Sequence, residues 1–356
     1  MRWGTSPVVV LAGSIFGILA VLLSKLGNPP NMGVCVACFL RDISGALGLH
    51  SAAKVQYMRP EIVGFVLGAY TAALLFGEFK PRGGSSPLIR FSLGVILMFG
   101  ALVFLGCPVR MLLRLSGGDM TALGGLLGWL TGVYIGVQFF KGGFTLGASS
   151  SLRPVNGYVL HVFFVVVLVI NLVVPTMMYR SAEGPGSMHA HWFVSLLFGF
   201  IVGALAQRGR LCFAGAFRDI FIIGDAHLFW GAVSFFITAL IANIALGQFH
   251  FGVSNQPVAH SSHLWNFAGM LLAGICAVLI GGCPLRQLVL AGEGNADSAL
   301  TVFGMLFGAA LAHNLNIAAM PDAPGSIGGP SIHGKVCILI AICVVVVLAN
   351  SCRERI

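Results

Sequence analysis

Cysteine and arginine recur together in two places along this chain. Cys35-Val36-Ala37-Cys38-Phe39-Leu40-Arg41-Asp42-Ile43 is matched, after a shift of 177 residues, by Cys212-Phe213-Ala214-Gly215-Ala216-Phe217-Arg218-Asp219-Ile220. Gly106-Cys107-Pro108-Val109-Arg110 returns as Gly282-Cys283-Pro284-Leu285-Arg286 after a shift of 176. The same two motifs, in the same order and at nearly the same offset, mark an internal duplication. Thiols are poor hydrogen-bond donors but soft and polarizable. A hard oxyanion such as sulfate is better served by backbone N–H groups and hydroxyls. Thiols beside arginine instead suit an anion that carries both charge and a soft chalcogen atom. Weak contacts at several sites would also let such an ion leave again.

The flanking residues say how these groups are positioned. Pro108 and Pro284 end one apolar run and suit the first turn of the next helix, where a missing N–H is no loss. That places Cys107 and Cys283 at or near an N-cap. The helices that follow, about 108–115 and 284–291, are too short to span a bilayer and read as re-entrant half-helices. Their free N–H groups and dipoles favour an anion, with Arg110 and Arg286 in the first turn adding formal charge. The bland alternative is a proline-broken helix with a small cap and a snorkelling arginine. Arg41 and Arg218 divide evenly between attracting an anion and holding structure. Asp42 and Asp219 read as structural. Cys38 faces Gly215 in the second copy, so Cys38 stands outside the duplicated plan.

The surrounding chain is apolar throughout. Of its 356 residues 57% are hydrophobic and only 9% charged, with a mean hydropathy of +0.94; soluble domains carry roughly 25% charged residues. This is an all-α integral membrane protein. Predicted crossings are 7–26, 61–79, 88–106, 120–140, 157–179, 191–207, 227–247, 264–282, 299–319 and 335–350, about ten in all. The first repeat occupies 1–150, a connecting helix and loop 151–190, the second repeat 191–320, and a last helix and tail 321–356. Five crossings separate the two copies of the first helix, which predicts inverted repeats with their short helices meeting near the midplane. The run from Pro7 to Leu23 has an internal copy near Trp192–Ala206 and is expected to be retained rather than cleaved. The segments 27–60, with Gly27, Pro29, Pro30 and Gly33, and 208–226, with Gly209, Gly215 and Gly224, read as irregular. The run 191–207 is short, its roughly 15 apolar residues rising about 23 Å against a core of about 30 Å.

The net charge of +9 has two readings: positive loops on the inner face, or an anionic substrate. Lys80, Arg82, Arg90, Lys141, Arg153, Arg208 and Arg210 favour the amino terminus inside, against Lys25, Lys54 and Arg59. The stretch 247–263 carries no Lys, Arg, Asp or Glu. No basic run or module fits nucleic acid, and no P-loop is present. His189, His191, His250, His260 and His263 admit a metal permease. Cys35-x-x-Cys38 admits a membrane thiol-disulfide oxidoreductase passing electrons to a quinone. Zinc is disfavoured because no four-ligand spacing is evident, and no cofactor is expected.

The repeated Cys-bearing loops, the Gly-Cys-Pro-x-Arg pairs and the apolar length resemble the YeeE/YedE sulfur-transport family over about residues 10–320. The resemblance is closest to its YedE-type selenium-transporter subgroup. It implies an hourglass of inverted repeats in the bacterial inner membrane, without enzymatic activity. It further implies passage of thiosulfate or a selenium species along Cys35, Cys107, Cys212 and Cys283. A cytoplasmic sulfur-transfer protein is the partner it implies.

Overall fold

A computed structural model describes residues 7–353. Residues 1–6 of the first repeat, with Arg2, and residues 354–356 of the tail lie outside the described residues. The helices are α1 (Pro7–Lys25), α2 (Val36–Ala46), α3 (Pro60–Leu75), α4 (Pro87–Phe104), α5 (Pro108–Ser116), α6 (Ala122–Lys141), α7 (Pro154–Gly157), α8 (Val159–Val173), α9 (Trp192–Arg208), α10 (Gly215–Ile223), α11 (His227–Ala245), α12 (His263–Leu279), α13 (Pro284–Gly292), α14 (Ala296–Asn314) and α15 (Ile332–Ser351). Two-residue strands at Arg82–Gly83 and Ser150–Ser151 pair antiparallel.

Among the described residues seven helical stretches are long and apolar enough to cross a membrane, two of them α4 with α5 and α12 with α13 taken together. The other three expected crossings fall on the shorter apolar helices α3, α8 and α9. Helix α8 stops at Val173 rather than running to 179 because Pro175 follows: the residue before a proline is driven out of the helical region, and Pro175–Met177 closes as a 3-10 turn. Helix α14 begins three residues earlier than expected, since the Asn295 side chain accepts from Ser298 N–H at 3.0 Å and caps it. Two helices were unforeseen. Segments 36–46 and 215–223, read as irregular, are α2 and α10.

The long helices pack in four parallel pairs, α1 with α11, α3 with α9, α4 with α14 and α6 with α12. Parallel running is fixed by the contact steps. The Ser234 and Thr238 hydroxyls of α11 donate to the Val10 and Ser14 carbonyls of α1, each at 3.0 Å. Close approach relies on glycine. A Cβ on Gly128 would meet the Phe267 carbonyl, and one on Gly68 the Phe200 carbonyl. Small residues four apart let membrane helices approach backbone to backbone, where packing replaces the absent hydrophobic drive. Exchanging each first-repeat helix for its second-repeat counterpart turns the α1–α11 pair into α9–α3, and α4–α14 into α12–α6. Helices α1 and α9 themselves run antiparallel: Gly209 lies beside Val9 and Ala12, and Gly27 beside His189.

Candidate functional site: two thiol constrictions

Helices α2 and α5 both start at a cysteine, and their N-termini converge. Cys35 is the N-cap of α2 and accepts from Cys38 N–H at 3.4 Å. Cys107 precedes Pro108 at the start of α5. Their sulfurs stand 3.7 Å apart and are buried. The second repeat builds the same object. Cys212 accepts from Gly215 N–H at 3.2 Å, Cys283 precedes Pro284 of α13, and the two sulfurs are 3.9 Å apart. The four cysteines expected from the duplication therefore come together two by two. Neither Cys107 nor Cys283 makes a side-chain cap bond.

The arginines are engaged largely by the protein itself. Arg110 reaches the neighbouring Cys38 sulfur with Nη1 and turns its other donors to the backbone. It donates to the carbonyls of Asn31 (3.2 Å), Leu105, Pro257 (3.5 Å) and Val258 (3.0 Å). Cys38 lies 3.7 Å from Arg110 Nη1 and 3.6 Å from the Leu105 carbonyl. Arg286 instead pairs with Glu293 at 3.3 Å. Arg41 and Asp42 face each other at 2.7 Å, fully enclosed at 2% and 0% exposure. Asp42 also accepts from Arg59 Nε at 2.8 Å, and Arg59 stacks over Phe39. Arg218 and Asp219 repeat the pair at 2.8 Å but at 24% and 23% exposure.

Three features had little or no sequence signal. Arg59 joins Asp42 from 17 residues away and donates to the Pro185 and Met188 carbonyls, tying the connecting loop to the first repeat. Buried Arg114 pairs with Asp119 at 2.7 Å and donates to the Phe104 carbonyl at 3.0 Å, closing the turn after α5. Two small cavities also lie beside bonding partners of Arg110 and Arg286. One of about 320 Å³ is lined by Asn31, Gln248, His250, Asn255, Gln256 and Pro257. The other, about 160 Å³, is lined by Glu78, Lys80, Arg82, Arg210 and Glu293.

The histidines do not gather. His189 stacks on Tyr57 at 4.1 Å, His191 accepts from Phe193 N–H at 3.3 Å, and His260 bonds the Val103 carbonyl at 2.7 Å. Among the described residues no three His, Cys, Asp or Glu side chains group to hold a metal ion.

Fold and site define an all-α membrane protein whose duplicated half-helices bring buried thiols together in pairs. Residues 208–353 match the sulphur transport family. The chain is 34% identical over 102 residues to the thiosulfate transporter TsuA of Spirochaeta thermophila, covering 29% of this chain and 30% of that protein. It is 31% identical over 111 residues to the thiosulfate transporter TsuA of Escherichia coli, covering 30% of each. Against the Salmonella typhimurium protein named probable transporter YedE it is 32% identical over 102 residues, 29% of this chain and 24% of that one. Through this region the chain is similar to the sulphur transport family and to these transporters. The matched stretch spans less than a third of the length of these relatives.

Proposed function

We propose that the chain carries a sulfur- or selenium-containing anion, thiosulfate-like or a selenium species, across the bacterial inner membrane. The ion passes the Cys35–Cys107 pair and the Cys212–Cys283 pair in turn. The observation that carries this reading is the pairing itself: two buried thiol pairs, at 3.7 and 3.9 Å, each where two half-helix N-termini converge. Backbone dipoles there favour negative charge, and soft sulfur offers contacts too weak to trap the ion. The antiparallel run of α1 and α9 supports an inverted pair of repeats, with one constriction nearer each face. Arg110, Arg286, Arg41 and Arg218 then supply positive field from the surrounding shell, and direct contact with the ion falls to the thiols and N–H groups. By family resemblance a cytoplasmic sulfur-transfer protein receives the sulfur.

The test is uptake of labelled thiosulfate into proteoliposomes. Cys107→Ala and Cys283→Ala should each lower uptake to background while the protein stays monodisperse. Wild-type uptake by the quadruple Cys35/Cys107/Cys212/Cys283→Ala protein would overturn the thiol pathway.

The short sulfur–sulfur distances also favour a second reading, a thiol-disulfide oxidoreductase. Gly215 opposite Cys38 counts against it, because an electron relay through Cys35 and Cys38 would stop in the first repeat. Thiol-dependent quinone reduction at catalytic rates by the purified protein would select that reading.

A further inference from the structure

Arg110, three residues after Cys107, holds a loop segment, whereas its counterpart Arg286 pairs with Glu293. Between α11 and α12 the chain is anchored at both ends. His250 N–H donates to the Gly117 carbonyl at 2.8 Å and Gly252 N–H to the Gly118 carbonyl at 3.0 Å. At the far end His260 bonds the Val103 carbonyl at 2.7 Å, and Asn266 holds the His260 carbonyl at 2.9 Å. Between these anchors lie Pro257 and Val258, joined to the start of the helix that follows Cys107. The side chain that grips them is Arg110, through their two carbonyls.

The grip is set against strained backbone. Asn255 and Val258 both have positive φ, +53° and +52°. Asparagine tolerates the left-handed region. A β-branched valine does not, and such outliers persist only when the surroundings over-determine them. In the other half the loop between α3 and α4 meets α13 through a backbone bond, Lys80 N–H to the Glu293 carbonyl at 2.9 Å. There the equivalent Arg286 turns to Glu293 rather than to the loop.

We propose that residues 255–258 are a gate over the first thiol pair, that Arg110 is its latch, and that the left-handed Val258 biases it toward release. Arg110 is then a positioning residue for the gate, besides the positive field it supplies from the surrounding shell. The carbonyls it now occupies become free when the strap lifts, and the 320 Å³ cavity beside Pro257 is the space into which the constriction opens. The charge-free character of 247–263 suits this: no side-chain ion pair has to break. The proposal rests on the reading that the Cys35–Cys107 pair lies on the transport route.

The experiment is labelling of the full chain in liposomes with a membrane-impermeant methanethiosulfonate, followed by peptide mass spectrometry at Cys107 and at its counterpart Cys283. Arg110→Lys keeps the charge but loses the planar fork that reaches two carbonyls. It should raise the Cys107 labelling rate about tenfold, one hydrogen-bonded charged group being worth about that factor, and leave Cys283 unchanged. Val258→Asn should act the other way and slow Cys107 labelling, because asparagine accepts the closed conformation. An unchanged Cys107 rate in Arg110→Lys, or equal rises at Cys107 and Cys283, would overturn the gate. Should Arg110→Lys fail to fold, Val258→Asn decides alone, and faster or unchanged labelling rejects the proposal. Normal uptake by Cys107→Ala alongside the expected labelling would keep the gate and reject the thiol route.

Discussion

The two constrictions share one plan but not one environment. In the first half every residue of α2 is buried. In the second only Gly215 and Ala216 of α10 are. The duplicated motifs are too alike to explain this. The difference comes from what the chain adds between the repeats. The connecting loop runs back over the first half: Tyr179 N–H donates to the Ala46 carbonyl, Ser181 N–H to the Gln56 carbonyl, and Gly186 N–H to the Lys54 carbonyl, at 2.8–3.0 Å. Arg59 then ties that loop to Asp42. Among the described residues no such wrap covers α10, whose Ile222 and Ile223 are exposed. A duplicated site is made asymmetric by unduplicated connections, and the same ion pair changes its energetic meaning with its cover.

The largest expected effect tests that last point. Asp42→Ala strands Arg41 and Arg59 without their carboxylate in a dry interior, which should cost about 3–5 kcal/mol. Asp219→Ala removes the equivalent carboxylate from a partly exposed pair and should cost about 0–1 kcal/mol. Thermal unfolding in detergent, with both variants side by side, reads the contrast directly. Equal losses would mean that burial does not separate the two halves.

Cys38 sharpens the comparison at smaller scale. It adds a third sulfur beside the first thiol pair, 3.6 Å from the Leu105 carbonyl and 3.7 Å from Arg110 Nη1. Cys38→Gly, which copies the second half, should lower thiosulfate uptake a few-fold, the loss expected of one weak contact of about 0.5–1.5 kcal/mol. Gly215→Cys places its Cβ 2.8 Å from Leu228 Cδ1, the tip of a flexible side chain, and 3.5 Å from Cys212 Sγ. It should fold and keep its uptake. If Cys38→Gly leaves uptake unchanged while Gly215→Cys abolishes it, the second constriction is the narrower of the two.

The sequence signalled the pairing of constrictions but not their difference. Duplication placed Cys35, Cys107, Cys212 and Cys283 in equivalent positions, and Pro108 and Pro284 marked where α5 and α13 begin. Helices α2 and α10 were missed because Gly and Pro flank short apolar segments, which read as broken chain until their N-termini are seen to face α5 and α13. The Arg110 grip on Val258 spans 148 residues and ends on carbonyls, which every residue has; no residue type announces it. Arg59–Asp42 is hidden for the same reason, an ion pair made by folding rather than by spacing. Loop 247–263 was legible only as a stretch without charge.

The smallest effect concerns how each covering loop is pinned. Both use a carboxylate that collects backbone N–H groups. Asp297 accepts from Gly84 and Ser85 at 2.9 and 3.3 Å and also faces Arg90 at 3.8 Å. Asp322 accepts from Ser261 and Gly328 N–H at 3.1 and 2.7 Å and from the Ser261 hydroxyl. Burial opposes the charge on Asp322, but the Ser261 hydroxyl and the N–H groups of Gly328, Ser261 and Asn255 outweigh it and hold its carboxyl below the usual range. A carboxyl depressed in the folded state stabilises fully above its unfolded value, about 3.9, and loses that contribution as the pH falls through the folded value. Asp322→Asn should therefore leave an unfolding temperature that is slightly lower at pH 7 and converges on the wild type below about pH 4. Its labelling at Cys107 should rise modestly at neutral pH while Cys283 stays constant, because Asn255 and Ser261 belong to the gate loop and its anchor. A variant gap that widens toward acid pH would reverse the sign and remove Asp322 from the closure of the first constriction.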